Sequence, residues 1–420
     1  MTWSWILIIA ADIDGIGHIH PFMRIFFNKT ECLFLPQTIK AEGYISLSDN
    51  VVLEDNVFFK ERHCMGKCSN TVRQYIENVI VRNDRVVQEL IKHNFMISFA
   101  EQKKEITPLL GWNDCIVQQL PQHGSDRRYF RLRNPANNTT VIQMVYGTEK
   151  AENAYFTDIQ HFLKELNVPV PKIIVNVPKK RWIFLEDLGD ISIYSLKNQL
   201  TFLQIEEIYC AVLKQCAAIY DEGNRKYQQC PLVTNPPFDY TVYKWEQEYF
   251  CENYLKLYRK EENIVSKFNI DFEHIARELS NYENRLLHRD LQSKNIMIYR
   301  NTPFFIDFQG LRRGLPEYDL ASLVHDPYMD FEDKVKEMLF SYIIEIVYPH
   351  LGRKDIDVFK RIFNLCSIQR LFQALGAFCF LGLRKEKREF LEYIAVAERI
   401  LLKQLISTNL FLPLQQILIR

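Results

Sequence analysis

Charged and amide side chains interrupt the apolar segment 286–310, LLHRDLQSKNIMIYRNTPFFIDFQG. His288 and Asp290 follow one short strand-like run, Asn295 precedes a second, and Asp307 ends a third. A buried carboxylate is unstable unless a hydrogen-bond donor or a cation compensates for its lost hydration. The segment therefore predicts partners for Asp290 and Asp307, which are either structural donors or a metal ion that carries a substrate.

These residues follow the spacing H-x-D-x-x-x-x-N, with a further Asp after the next strand, which is the spacing of protein-kinase catalytic loops. In that arrangement Asp290 accepts the proton of an attacking hydroxyl, while Asn295 and Asp307 hold Mg²⁺ against the phosphates of ATP. Phosphoryl transfer depends mainly on positioning and charge neutralisation, so these three groups would supply much of the catalysis. The alternative is a structural loop in which Asp290 and Asn295 cap turns and Asp307 forms a salt bridge. The complete set between apolar strands favours the catalytic interpretation.

Residues 106–420 resemble the aminoglycoside-phosphotransferase/choline-kinase superfamily. Within it, they resemble most the cell-wall amino-sugar kinases, which phosphorylate the anomeric hydroxyl of N-acetylmuramate and N-acetylglucosamine. The segments that carry the resemblance are GSDRRYFRL (124–132), ENAYF (152–156), VPVPKI (168–173), IFLEDLGD (183–190), HRDLQSKNIM (288–297), FIDFQG (305–310), YDLASLVHD (318–326) and QRLFQALGAF (369–378). The resemblance implies a protein-kinase-like fold that uses ATP and Mg²⁺.

A hairpin turn is predicted in PQHGSDRRYFRL, between two strand-like runs, where backbone N–H groups would lie over phosphates. A single glycine is a weak signal, which its position ahead of the other motifs strengthens. The next strand, TTVIQMVYG, has Gln143 or Met144 where kinases carry a phosphate-binding lysine. We therefore expect the nucleotide phosphates to contact Gly124, Ser125, Arg127 and Arg128, the two arginines being the candidate cations.

The resemblance also assigns roles to residues outside the segments 124–132 and 286–310. The segment IFLEDLGD resembles the hinge between kinase lobes, whose backbone would pair with adenine at Glu186, Asp187 and Leu188. Glu152 either matches a glutamate of the family or simply favours a helix N-terminus. Asp319 matches an aspartate that braces the catalytic loop, and Arg370 either reaches the substrate or forms an ion pair on a helix surface.

The hydrophobic pattern changes along the chain and predicts an α+β protein with two lobes. From 106 to 188, short strand-like runs surround one helical stretch whose apolar stripe consists of Phe156, Ile159, Leu163 and Leu166. From 189 to 420 the pattern is helical, except for the strands around 286–308. We predict a small β-rich N-lobe at 106–188 and a large helical C-lobe at 189–420, with the catalytic loop facing the cleft between them.

Residues 1–100 have a different pattern. In GYISLSDNVVLEDNVFF (43–59), apolar residues and Asp-Asn pairs recur every six residues, which favours a short parallel β-helix over two ordinary strands. This repeat resembles the tail of sugar-phosphate nucleotidyltransferases, and we expect no catalysis from residues 1–100. The apolar run 3–11 is predicted to be a buried strand, because it is too short to span a bilayer and no basic residue precedes it.

Composition limits the classes of partner. Lys plus Arg and Asp plus Glu both total 52, so the protein has no net charge that would attract nucleic acid. Ten irregularly spaced cysteines fit reduced cytoplasmic thiols, and His63, Cys64 and Cys68 lack the second pair of ligands that zinc requires. We expect a cytoplasmic protein with a small-molecule substrate and without a nucleic-acid or membrane partner.

The sequence thus predicts an ATP- and Mg²⁺-dependent kinase that phosphorylates a sugar hydroxyl, foremost the anomeric hydroxyl of an N-acetylated amino sugar. An aminoglycoside- or choline-type phosphotransferase is the alternative, since the acidic residues of 316–333 could receive a cationic acceptor. A regulatory pseudokinase would explain the missing lysine but not the intact set Asp290, Asn295 and Asp307. A protein kinase is disfavoured, because the interval 307–319 leaves no room for a long activation segment.

Overall fold

A computed structural model describes two parts of the chain. Within 5–34 it describes the backbone of three strands, and it describes residues 102–121, 127–148, 151–227 and 236–419 with nearly all of their side chains. The chain forms two compact units, Met1–Pro108 and Leu109–Arg420. A helix covers 102–110.

The first unit contains an antiparallel sheet of three strands in the order β1-β2-β3, with bounds β1 Trp5–Ile13, β2 Ile19–Phe27 and β3 Glu31–Phe34. The apolar run predicted as a strand at 3–11 overlaps β1. The six-residue repeat at 43–59 and the HCxxxC segment at 63–68 lie outside the described residues, so the β-helix remains a prediction.

The second unit begins with a five-stranded antiparallel sheet in the order β4-β5-β6-β8-β7, whose strands are β4 Ile116–Gln119, β5 Arg128–Arg133, β6 Thr140–Val145, β7 Ile173–Val177 and β8 Trp182–Glu186. Helix α1 (Phe156–Glu165) carries the predicted apolar stripe and buries it against the sheet. Successive residues of a strand point to opposite faces. Met144 and its register partner Ile183 therefore share one face and belong to the core cluster that includes Ile159 of α1, and Gln143 points to the other face.

The helical part contains α2 Phe202–Ala218, α3 Tyr240–Phe250, α4 Asn269–Ser280, α5 Pro316–Val324, α6 Asp333–Tyr342, α7 Ile356–Cys379, α8 Ile394–Thr408 and α9 Leu412–Ile419. Helix α2 begins with a capping box, in which the side chains of Thr201 and Gln204 bond each other's backbone N–H groups. Helix α7 lies at the centre and packs against α3, α5 and α8. It is long and apolar enough to cross a bilayer, but 78% of its most apolar window is buried within the protein, as in a core helix.

Two short antiparallel ladders position the segment 286–310. Strand β9 (Arg285–Leu287) pairs with β12 (Arg312–Gly314), and β10 (Ile296–Tyr299) pairs with β11 (Thr302–Phe305). The loop between β9 and β10 therefore lies beside the loop between β11 and β12. The α+β fold with a small sheet lobe and a large helical lobe is as predicted. The domain boundaries at 1–100, 106–188 and 189–420 remain predictions.

Candidate active site

Asp319, a fully buried residue of α5, holds the loop between β9 and β10 in place. Its carboxylate accepts the backbone N–H groups of His288 (2.6 Å) and Arg289 (2.8 Å), together with the hydroxyl of Tyr220 (3.2 Å). Burial raises the pKa of Asp319 to about 7, although these three donors favour its charged form. Asp319 braces the loop, as expected, and the backbone of Arg289 takes the left-handed conformation (φ +79°) at the turn.

Asp290 follows that turn. Its Oδ1 is 3.8 Å from Nη2 of Arg370, a buried residue of α7. Burial alone would raise the pKa of Asp290, but the positive charges of Arg289 and Arg370 outweigh it and lower the pKa below its ordinary value. Asp290 is therefore an ionised carboxylate, as a base that receives a hydroxyl proton must be.

Arg370 is not on a helix surface, so the alternative of a surface ion pair is wrong. Its Nε donates to the Oγ of Ser322 (3.1 Å), and its Nη2 donates to the Oε1 of Gln292 (3.2 Å) in the catalytic loop. Its Nη1 donates to Gln373. The arginine thus connects α7 and α5 to the loop and lies beside Asp290.

Asn295 and Asp307 are brought together by main-chain contacts. The Asn295 carbonyl accepts the N–H of Ile306 (3.0 Å), the residue before Asp307. The Nδ2 of Asn295 donates to the carbonyl of Asp290 (2.9 Å), which orients the amide so that Oδ1 points away from that carbonyl. Asp307 has φ +60°, and its Oδ1 accepts Nε2 of Gln309 (2.7 Å). The backbone contact thus brings Asn295, which carries an amide oxygen, next to the segment that carries the Asp307 carboxylate.

The chemistry of this pair suits Mg²⁺, which prefers oxygen ligands and keeps several positions for water and phosphate. Among the described residues, no group of three His, Cys, Asp or Glu side chains could enclose a metal ion. A site with two protein oxygens therefore fits a metal held jointly with a nucleotide better than a metal held by the protein alone.

The cation beside Asp307 is Arg127. It immediately precedes β5, its side chain is only 4% exposed, and its Nη1 lies 3.0 Å from Oδ1 of Asp307. Met144 belongs to the core cluster that also contains the buried residues of α1, whereas Gln143 points to the other face of the sheet. Both polar atoms of the Gln143 side chain are buried without a hydrogen-bond partner among the described residues.

Arg128 is the neighbour of Arg127 but faces the other way, because strand residues alternate. It is exposed and lines a cavity of about 280 Å³ together with Lys179, Lys180 and Arg181. Arg128 thus lies on the opposite side from the buried Arg127, and its contact with the phosphates stays a prediction. Gly124 and Ser125 lie outside the described residues.

Glu152 lies in a 3₁₀ turn (Ala151–Tyr155) ahead of α1, and its Oε2 is 3.5 Å from Nη2 of Arg312. Arg312 also donates from Nε to the carbonyl of Gly310 (3.0 Å). The glutamate thus connects the N-lobe to the loop that carries Asp307. The arginine that makes this contact lies five positions after Asp307.

The predicted hinge connects β8 to the helical part. Glu186 ends β8 and donates its N–H to the carbonyl of Lys172 (2.8 Å), and Leu188 is buried. The Asp187 carboxylate receives two hydrogen bonds from Arg131, at 2.7 and 3.0 Å. Because the side chain of Asp187 is occupied in this ion pair, the adenine contact would have to come from the backbone, and that contact stays a prediction.

A further buried acid, Glu246, was not predicted from the sequence. It lies on α3, is 1% exposed, and accepts hydrogen bonds from the Tyr318 hydroxyl (2.8 Å) and from Nε2 of Gln369 (3.0 Å). Burial raises its pKa to about 7, while the charges of Arg289 and Arg370 act in the opposite direction. Its position on the helix face of the buried Tyr243 and Phe250 was the available signal in the sequence.

Comparison with known proteins agrees with this geometry. The model of a family described as "Phosphotransferase enzyme family" matches residues 116–346. The N-acetylmuramate/N-acetylglucosamine kinase of Pseudomonas putida is 24% identical over 306 residues, which are 69% of this chain and 85% of the relative. That of Pseudomonas aeruginosa is 22% identical over 295 residues, covering 67% and 82%. A choline/ethanolamine kinase family protein from Mesorhizobium loti, 11% identical, superposes with a TM-score of 0.51 over 73% of this chain and 94% of that chain, which shows a shared fold.

Proposed function

Since this chain belongs to the phosphotransferase enzyme family and is a kinase that phosphorylates an alcohol group, we propose that its phosphate donor is ATP with Mg²⁺. We propose further that its acceptor is the anomeric hydroxyl of an N-acetylated amino sugar. The observation that carries the proposal is the joined pair of loops, in which Asp290, Asn295 and Asp307 are linked by the hydrogen bonds described above.

The residues of this chain would divide the reaction between them. Asp290 accepts a hydrogen bond from the sugar hydroxyl, orients its oxygen towards the γ-phosphate and takes up the proton as the new P–O bond forms. The bond between the γ-phosphorus and the β–γ bridging oxygen breaks in the same step, and ADP leaves. An anomeric hydroxyl is more acidic than the other hydroxyls of a sugar, so an aspartate with a lowered pKa suffices as the base. Arg370, which lies beside Asp290, keeps the carboxylate ionised and in place.

Asn295 and Asp307 would hold Mg²⁺, which when bound neutralises phosphate charge. Arg127, whose Nη1 lies 3.0 Å from Oδ1 of Asp307, would be the cation that contacts the nucleotide phosphates, and its guanidinium could exchange part of its contact with Asp307 for phosphate oxygens. This cation argues against the pseudokinase alternative, whose support was the missing lysine.

The acidic residues of 316–333 do not favour a cationic acceptor. All six of these carboxylates have partners within the chain: Glu317 with Arg353, Asp319 and Asp326 with backbone N–H groups of the catalytic loop, Asp330 with Arg399, Glu332 with Lys334, and Asp333 with Lys403. A choline or aminoglycoside ammonium would have to displace one of them. A neutral or anionic sugar requires no such exchange, and both Pseudomonas relatives are named as kinases of two such sugars.

The proposal is tested by following ATP consumption with N-acetylglucosamine, N-acetylmuramate, choline and an aminoglycoside as acceptors, with and without Mg²⁺. We expect Mg²⁺-dependent turnover with at least one N-acetylated sugar and none with choline or the aminoglycoside. Turnover with the cationic acceptors alone would contradict the proposed acceptor and leave the kinase activity standing.

A further inference from the structure

The ammonium group of Lys294 is enclosed by aromatic rings. Lys294 immediately precedes Asn295 in the catalytic loop, in a 3₁₀ turn that covers Ser293–Asn295. Its Nζ lies 3.9 Å from the ring centroid of Tyr328, and at 4.6, 4.7 and 5.4 Å from those of Tyr194, Tyr393 and Phe390. Each distance is within the range of a cation–π interaction. We call these four rings the aromatic cage.

The aromatic cage is rigid and comes from three separate segments of the helical part. Tyr328, Phe390 and Tyr393 are at most 8% exposed. Tyr328 packs edge-to-face on Tyr194 and on Tyr393, and the hydroxyls of Tyr194 and Tyr393 are hydrogen-bonded to each other. Edge-to-face packing fixes the ring orientations, so the cage holds its shape around one cation.

The ammonium is bound by ring faces and not by a carboxylate, as no ion pair of Lys294 occurs within the described residues. Burial lowers the pKa of Lys294, and the charges of Asp326, Glu392 and Glu389 act in the opposite direction. A desolvated ammonium gains most from aromatic faces, because water no longer competes for it.

Three consecutive residues of the loop thus have three different anchors. The N–H of Ser293 donates to Asp326 (2.8 Å), the ammonium of Lys294 fills the aromatic cage, and Nδ2 of Asn295 donates to the Asp290 carbonyl (2.9 Å). The first two anchors tie the loop to the helical part, whereas the third is within the loop itself. The position of Asn295 relative to the rest of the site therefore depends on the two residues before it.

We propose that Lys294 is a positioning residue, whose ammonium in the aromatic cage sets the place of Asn295 and through it the affinity for metal-bound nucleotide. The part of this inference that concerns the metal rests on the proposed function. The part that concerns the order of the loop does not.

The test compares two variants. Lys294→Met keeps a long unbranched side chain and removes its charge, whereas Lys294→Arg keeps a cation for the cage. Lys360→Met, on the exposed face of α7, is the matched control. Hydrogen–deuterium exchange of peptides covering 290–296 is measured by mass spectrometry without nucleotide, and binding of a non-hydrolysable ATP analogue is measured by calorimetry over a range of Mg²⁺ concentrations.

We expect Lys294→Met to raise the exchange rate of the loop amides and to weaken Mg²⁺-dependent nucleotide binding, each about tenfold. Lys294→Arg should recover most of both losses, and Lys360→Met should match the wild type. Exchange and binding within twofold of the wild type in Lys294→Met would overturn the proposal. If the wild type binds no nucleotide, the proposed function fails while the exchange measurement still decides the role of the cage.

A second pair of variants covers the case in which Lys294→Met does not fold. Tyr328→Leu removes the nearest ring, whereas Tyr328→Phe removes only its hydroxyl. Loop exchange should rise clearly more in Tyr328→Leu than in Tyr328→Phe. Equal rates in the two variants would show that the ring faces do not hold the loop.

Discussion

The buried carboxyl of Glu246 should make the stability of this protein depend on pH in a way that one substitution removes. The pKa of Glu246 rises from an ordinary 4.5 to about 7 in the folded state. Between these two pH values the folded protein keeps a proton that the unfolded chain releases. The free energy of unfolding therefore decreases as the pH rises through this window.

The magnitude follows from the pKa difference, at about 1.36 kcal/mol for each unit. For Glu246 this amounts to about 3 kcal/mol lost between pH 4.5 and pH 7. Glu246→Gln cannot lose a proton, so its free energy of unfolding lacks this contribution. Asp319, which also has a raised pKa, is present in both proteins and cancels from the difference.

The assay is urea denaturation of the wild type and Glu246→Gln at pH 5 and at pH 8. We expect the wild type to lose about 3 kcal/mol relative to Glu246→Gln between these two pH values, whatever the offset between them at pH 5. Glu248→Gln, two positions on in α3 and exposed, is the control and should follow the wild type. Parallel pH dependences of the wild type and Glu246→Gln would refute the reasoning, since Glu246 would then titrate as in the unfolded chain.

Three further substitutions test the site. Asp290→Asn should lower kcat about 10²–10⁴-fold in a steady-state assay, because it removes the base, and a kcat near the wild-type value would reject that role. Arg127→Met should lower kcat/KM for ATP about 10- to 100-fold through the loss of a charge-assisted contact near Asp307, while the outward-facing Arg128→Met should stay within about twofold. Arg370→Met removes a charge that lowers the pKa of Asp290, so the acid limb of the kcat/KM profile should move to higher pH; an unmoved limb would show that another group sets it.

The part of the site that lies within one short segment could be predicted from the sequence. Asp290, Asn295 and Asp307 lie within one short segment whose strands and loops follow from its own hydrophobic pattern, and Asp319 was recognised by its motif. The strand pattern also predicted the sheet, and the stripe on α1 predicted which side of that helix is buried.

The remaining features depend on register and on distant packing. Helix α1 covers one face of the sheet, and the sequence does not say which. That face decides whether Gln143 or Met144 replaces the lysine, and which of the two adjacent arginines faces Asp307. No local pattern places Arg370 beside Asp290, because α7 reaches the loop only in the folded helical lobe. The aromatic cage of Lys294 is likewise assembled from segments that are far apart in sequence.

The central claim is the transfer of phosphate to an anomeric hydroxyl, and the position of the phosphate in the product tests it most directly. The product formed from N-acetylglucosamine or N-acetylmuramate is treated with mild acid, and the released inorganic phosphate is measured. A sugar 1-phosphate is acid-labile, so we expect rapid release, and we expect no such product from Asp290→Asn. An acid-stable phosphate ester, as in a 6-phosphate, would contradict the account.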